Sequence, residues 1–126
     1  MRVHPALPLI AGAVIAPRRI VKFSAAKTVI QAAAATDSLI GVSDSLGAAA
    51  GERVEVYTSG PGVEIEVGGN IARGAEITSD AVGRAVTAAP AAGATCRIIG
   101  IAMDTYVLGD VGDFILTQAS KTTPAA

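Results

Sequence analysis

The stretch DSLIGVSDSLGAAAGERVEV, from Asp37 to Val56, decides the fold because the chain repeats its plan further on. The second copy is CRIIGIAMDTYVLGDVGDFIL, from Cys96 to Leu116. Both stretches run from an apolar pair through a glycine and Val or Ile to a short polar run. Both then place a glycine beside an acid, before another apolar run. Neither copy contains a recognisable catalytic residue. The repetition therefore indicates a repeated structural unit rather than a reaction site.

Short apolar runs rich in Val, Ile and Thr and bounded by Gly and Asp are typical of β-strands. The alanine runs have high helix propensity, but they are short and lack an apolar stripe with helical spacing. The sequence therefore predicts an all-β fold. The predicted strands are Arg19–Phe23, Thr28–Gln31, Leu39–Ser43, Arg53–Thr58, Val63–Val67, Glu76–Thr78, Arg84–Thr87, Cys96–Met103 and Asp113–Gln118.

The clearest alternation is RVEVYTSGPGVEIEV, from Arg53 to Val67. Its valines and isoleucine fall on one face, while the acidic side chains of Glu55, Glu64 and Glu66 fall on the other. The glycine–proline–glycine run in the middle predicts a turn. This segment is therefore predicted to be a β-hairpin with one solvated, acidic face.

The two halves of the chain align as a duplication. IAPRRIVKF matches IARGAEITS at an offset of 56 residues, and two later matches have offsets of 59 and 61. A repeat unit of about 45 residues buries too little apolar surface to be stable alone. Two units sharing one core predict a small β-barrel or sandwich. The expected organisation is an extended N-terminal arm (1–14), one β-domain (15–118) with halves 15–58 and 71–118 joined by hairpin 53–67, and a flexible C-terminal tail (119–126).

Composition narrows the possible partners of the chain. Its 126 residues are 51% hydrophobic but only 3% aromatic, and the formal net charge is −1. This balance gives no reason to expect nucleic acid or an anionic membrane as a partner. The apolar run Ala6 to Ala16 is too short to span a bilayer, which takes about 20 residues. The single cysteine, Cys96, excludes an internal disulfide and is expected to be a small buried hydrophobe.

The residues that carry chemistry in enzymes are missing or isolated. The one histidine, His4, lies near the start of the chain, where a frayed terminus is expected. The acidic residues fall in turns, where aspartate is common for conformational reasons. GAAAGERV lacks the Gly-Lys-Ser/Thr of a phosphate loop, and GPGVEI lacks the third glycine of a dinucleotide fingerprint. We predict no catalytic residue, no cofactor site and no metal site, and therefore no enzyme.

Three motifs carry a resemblance to a known family: Leu39-Ile40-Gly41-Val42, the run Ala50 to Val54, and GGNIARGAEITSDAVGRAV from Gly68 to Val86. The chain resembles the capsid decoration (cement) proteins of tailed bacteriophages, a group formerly catalogued as a domain of unknown function. The likeness extends from about Ile10 to Leu116. It implies a structural virion protein that binds the outer surface of an assembled head and bridges major capsid subunits. It also implies assembly in the host cytoplasm and a homo-oligomer, a trimer ahead of a dimer.

Two sets of residues are candidates for contacts. The apolar side chains of Leu7, Leu9 and Ile10 in the arm are predicted to contact the major capsid protein. A basic group is predicted to pair with acidic residues of a neighbouring copy, as an inter-subunit contact; its members are Arg18, Arg19 and Lys22, and the acids are Glu55, Glu64 and Glu66. Two alternatives stay open: a β-clip domain that binds a ligand or assists an enzyme, and a structural component of a tail or baseplate.

Overall fold

The computed structural model describes residues 6–124 and contains ten β-strands and no helix within that range. The strands are β1 (Ala6–Ala11), β2 (Ile20–Ala25), β3 (Thr28–Gln31), β4 (Leu39–Ser43), β5 (Arg53–Tyr57), β6 (Gly60–Glu66), β7 (Glu76–Ser79), β8 (Ala85–Thr87), β9 (Thr95–Ala102) and β10 (Val111–Thr122). All nine predicted strands are present, and β1 is an additional one. The all-β prediction is confirmed. No helix in the described range could cross a membrane.

The strands form two sheets of five. The first closes into a barrel in the order β1-β3-β2-β4-β5, since β1 also pairs with β5. The second has the order β6-β10-β9-β7-β8. We call residues 6–57 module 1 and residues 60–122 module 2.

The two modules share one plan, strand for strand, when β1 is matched with β6 and β5 with β10. The β1–β3 contact that closes module 1 is parallel, and an isolated parallel bridge joins Val67 to Ala85 at the same place in module 2. The antiparallel bridge of Ile15 with Ala48 has its counterpart in Ile71 with Tyr106. The predicted duplication is therefore visible in the hydrogen bonding of the fold.

The interior residues of the modules are also equivalent. In module 1, outward and inward residues alternate along each strand, and the inward ones fill the barrel. Five of these side chains have buried counterparts 56 positions later: Leu9, Ala11, Ile15, Val21 and Val29 correspond to Ile65, Val67, Ile71, Ile77 and Ala85. Because both sets are aliphatic with very few aromatics, each module encloses only a narrow core.

Module 2 differs from module 1 along the seam between its first and third strands. In module 1 the seam is closed directly, because the Ile10 amide donates to the Lys27 carbonyl at 2.9 Å. In module 2 the equivalent groups are apart, and the segment 18–20 of module 1 lies between them. The Glu66 amide donates to the Arg18 carbonyl at 3.0 Å, and the Ile20 amide donates to the Gly83 carbonyl at 2.7 Å. One module thus supplies the backbone that completes the other.

The side chains follow the same arrangement. Ile20, Leu39 and Val42 of module 1 point out of their own barrel and belong to the core cluster of module 2. Ile20 and Val42 have no exposed surface. Module 1 therefore contributes side chains to the core of module 2, while the interior of its own barrel forms a separate apolar cluster.

Two boundary predictions were wrong. Residues 6–11 are a barrel strand rather than a free arm, because inward-facing Leu9 and Ala11 are needed to fill the core. The tail prediction fails as far as Thr122, because β10 continues to that residue and pairs Ala119–Thr122 with β9. Met1–Pro5, including His4, and Ala125–Ala126 lie outside the described residues.

The predicted hairpin at 53–67 was also wrong in its pairing. β5 pairs with β1 and β4, whereas β6 pairs with β10, so this segment is the crossover between the two sheets. Gly60, expected in the turn, begins β6. The last repeat offset is corrected as well: Gly51 and Gly109, both at positive φ, occupy the same turn, which gives an offset of 58 rather than 61.

Candidate functional site

The basic and acidic residues predicted to join neighbouring copies meet within one chain. Arg18 Nε lies 3.1 Å from Glu64, and an Arg19 Nη lies 3.3 Å from Glu66. Arg19 also donates to the Val82 carbonyl at 2.9 Å. These contacts brace the inserted segment 18–20 against both edges of the module 2 seam. Their role in the structure is to join the two modules.

The remaining members of the charged set also have contacts inside the chain or face solvent. Lys22 Nζ lies 3.1 Å from Asp37 Oδ2. Burial raises the pKa of Asp37, but the amides of Ala33 and Ala34 and the Lys22 ammonium outweigh it and hold that pKa below its usual value. Glu55 is half-buried on β5, opposite Pro8 of β1.

The three apolar residues predicted to contact a capsid differ in burial within the barrel. Leu9 is 7% exposed and belongs to the core of module 1. Leu7 and Ile10 are 45% and 43% exposed. A burial role therefore replaces the contact role for Leu9, whereas Leu7 and Ile10 remain accessible on β1.

A second apolar surface, which the sequence analysis missed, lies in the loop between β9 and β10 of module 2. Val107 and Leu108 are adjacent and 54% and 61% exposed. The turn is held by Asp110, whose Oδ2 accepts the Val107 amide at 2.9 Å. We call Val107 and Leu108 the loop surface.

The matching loop of module 1 has the same construction but smaller side chains. There Glu52 accepts the Ala49 amide at 2.8 Å, and Ala49 and Ala50 stand where module 2 has Val107 and Leu108. Aligning AAAGE (48–52) with YVLGD (106–110) reveals the difference in the sequence alone. The turn requires the glycine and the acid, but it does not require exposed large apolar residues. Their presence in one module only points to a contact.

An open hollow of about 470 Å³ adjoins the loop surface. It is lined by Asn70, Ile71, Ala72, Thr87, Thr105, Tyr106 and Val107. The Tyr106 ring packs over Gly112, where a Cβ would lie 2.6 Å from the ring, and its hydroxyl accepts the Asp113 amide at 2.8 Å. Module 1 has the reverse combination, Ala48 with Val54. The large tyrosine thus fixes one wall of the hollow.

The described residues contain no group of three or more His, Cys, Asp or Glu side chains placed to hold a metal ion. Cys96 is buried with Ala88 and Ile98, as predicted for a small hydrophobe, and burial raises the pKa of its thiol. Asp104 is exposed, and its pKa is lowered by the Thr105 amide and by Arg73.

Comparison with protein families supplies the identification. The family model described as phage cement protein matches residues 4–117. The chain belongs to the phage cement protein family. It is accordingly a structural protein of the phage capsid, and the resemblance drawn from its motifs is confirmed.

A solved structure supports the same assignment at the level of the fold. The chain is similar to the N base of head fiber gp8.5 of bacteriophage phi29, with a TM-score of 0.69 and 16% identity, over 91% of this chain and 95% of that one. At this identity the likeness shows the fold alone. A comparison with curated proteins found no match.

Proposed function

We propose that this cement-family protein binds the outer surface of an assembled phage head and stabilises it by bridging major capsid subunits. The observation that carries the proposal is the family match over residues 4–117. The virion would be its site of action, after folding in the host cytoplasm. Bridging requires no catalytic group, because it depends only on the area and shape of the contact surfaces.

The loop surface is the first candidate for the capsid contact. Burying Val107 and Leu108 removes two large apolar side chains from water, worth roughly 1.5–3 kcal/mol each. The Val107 amide and carbonyl are both bonded to Asp110, which holds the turn and reduces the ordering needed on binding. Several copies acting together would raise the total affinity by effective concentration. Leu7 and Ile10 on β1 are the second candidate.

Binding to heads that lack the protein tests both candidates. The double variant Val107→Asp/Leu108→Asp should reduce co-sedimentation with such heads by at least about tenfold. The change Leu46→Asp is a matched control, because Leu46 is 84% exposed in a loop of module 1. Thermal unfolding should show that all variants remain folded.

Other results would redirect the proposal. If Leu7→Asp abolishes binding while the loop variant does not, the contact lies on β1. If the wild-type protein never co-sediments with heads, the proposed function is wrong. A melting temperature raised by a sugar or small ligand would then favour the ligand-binding alternative, and co-sedimentation with phage tails would favour a tail component.

A further inference from the structure

The contact between the two modules inside the chain has a consequence for contacts between chains. Within the chain, the outer side of module 1, at 18–20, Val42 and Tyr57, contacts module 2. Segment 18–20 hydrogen-bonds to both edges of the β6–β8 seam, and Val42 and Tyr57 pack on the core of module 2. Module 2 has the same outer side, at 74–76, Ile101 and Ile115. Module 1 has the same seam, at β1 and β3. Both of these equivalent surfaces face solvent in the single chain.

We propose that the two free surfaces bind each other between copies, module 2 of one chain docking on the β1–β3 seam of module 1 of the next. This inference deepens the homo-oligomer expected under the proposed function by naming its interface. The occupant is a second copy of this chain. The support comes from comparing each pair of residues in the internal contact with the residues at the equivalent positions of the other module.

At the positions equivalent to two ion pairs of the internal contact, both charged residues are replaced by uncharged ones. Arg18 and Glu64 correspond to Gly74 and Pro8. Arg19 and Glu66 correspond to Ala75 and Ile10, which are both apolar. A surface with no partner would be free to keep one charge and lose the other.

A third contact gains opposite charges. In the chain, Ile20 lies against Gly83, whose carbonyl accepts the Ile20 amide. The equivalents are Glu76 and Lys27, a carboxylate and an ammonium. Lys27 is exposed and makes no ion pair among the described residues, while Glu76 is bound only to the half-exposed Lys121, at 3.2 Å. The docking geometry would bring Lys27 of one copy to Glu76 of the next.

The apolar part of the surface agrees with this. Val42 and Tyr57 are paired across β4 and β5 and are packed on module 2. Their equivalents, Ile101 and Ile115, are paired across β10 and β9, yet Ile115 is 40% exposed. Ile10 on the opposite surface is 43% exposed. An exposed isoleucine on each side of one contact is expected when both are buried on association.

Because the two surfaces differ, the contact is head-to-tail, and copies related by it form a closed ring or an open fibre. An assembly with a fixed number of copies requires the ring. The β1–β3 seam is closed by the hydrogen bond from the Ile10 amide to the Lys27 carbonyl, so segment 74–76 would lie against the outside of that seam instead of entering it as segment 18–20 enters the seam of module 2. The symmetric alternative, in which like surfaces meet, would place Lys27 against Lys27 of the partner.

Self-association of the purified chain, measured by analytical ultracentrifugation without heads, tests the interface separately from capsid binding. The wild-type protein should be oligomeric in the micromolar range. Glu76→Lys and Lys27→Glu should each weaken association by at least about tenfold, and the double variant should restore it to within about threefold of wild type. Circular dichroism checks that each variant is folded.

An apolar pair of variants provides the matched control. Ile115→Asp should weaken association by at least about tenfold, whereas Val111→Asp, an exposed change on the same strand, should leave it unchanged, because the equivalent residue Arg53 is exposed. A monomeric wild-type protein at about 100 μM, equal effects of these two variants, or no restoration in the charge-swapped double variant would each overturn the proposal. A monomer whose Ile115→Asp variant no longer binds heads would assign this surface to the capsid instead.

Discussion

At the scale of single residues, two pairs of equivalent positions share a positive φ angle, but only module 2 has glycine there. Arg18 and Lys27 adopt positive φ angles of 58° and 53°. Their equivalents in module 2 are Gly74 and Gly83, at 82° and 80°. Non-glycine residues rarely occupy this region, because the Cβ atom approaches the backbone too closely. Module 1 therefore carries strain that module 2 avoids.

Replacing Lys27 with glycine should stabilise the protein. Relief of the left-handed backbone is worth about 1–2 kcal/mol, and the added freedom of glycine in the unfolded chain takes back about 0.4–1 kcal/mol. We expect a net rise of about 0.5–1 kcal/mol in the free energy of unfolding, measured by urea denaturation at a concentration where the chain is monomeric.

The change Arg18→Gly is the matched comparison, because it relieves the same backbone strain but removes the ion pair with Glu64. It should gain less than Lys27→Gly. A fall in stability on Lys27→Gly would show that the lysine side chain has a folded-state contact that outweighs its strain.

At the scale of elements, the sequence predicted strands well and their partners poorly. Val/Ile/Thr runs between Gly and Asp locate strands, because alternation and turn residues are local. β1 was missed because residues 1–14 were taken as an extended arm. Pro8 is tolerated because β1 pairs with β3 only at Ile10 and Ala11, so the nitrogen of Pro8 faces an unpaired edge, while Leu9 and Ala11 supply the inward alternation. The β5–β6 hairpin failed because both strands find other partners far along the chain, which no local pattern encodes.

The inserted segment 18–20 is the element that joins the modules, and it yields a prediction. Ile20 is fully buried in the core of module 2, so Ile20→Ala should lower the free energy of unfolding by about 2–5 kcal/mol. Val14→Ala is the control in the same connection, because Val14 is 72% exposed, and its effect should stay below about 0.5 kcal/mol.

Fluorescence and circular dichroism should report one coincident unfolding transition for the Ile20 variant, since the core of module 2 includes side chains of module 1. Two separated transitions would mean that the modules are independent and that segment 18–20 contributes little to their union.

At the scale of the whole molecule, the duplication accounts for both the fold and the surfaces. The sequence was sufficient to predict two similar β-units, because the repeated glycine–acid turns and apolar runs are explicit. It predicted one shared core, whereas the interior of module 1 and the core of module 2 are separate clusters. It was not sufficient to predict head-to-tail docking of the modules, which depends on a seam opened by residues 18–20. The loop surface was within reach, since aligning AAAGE with YVLGD shows enlarged apolar residues in a conserved turn geometry. Leu9 is the opposite case. It was predicted to be an exposed contact residue, and only the strand register shows that it points into the barrel.

Electron microscopy of phage heads assembled from the major capsid protein, with and without this chain, is the decisive test of capsid bridging. We expect added density on the outer surface, at joints between capsid subunits, with module 2 loops toward the shell. We also expect the heads to withstand higher temperature. Identical maps and identical rupture temperatures with and without the chain would contradict it.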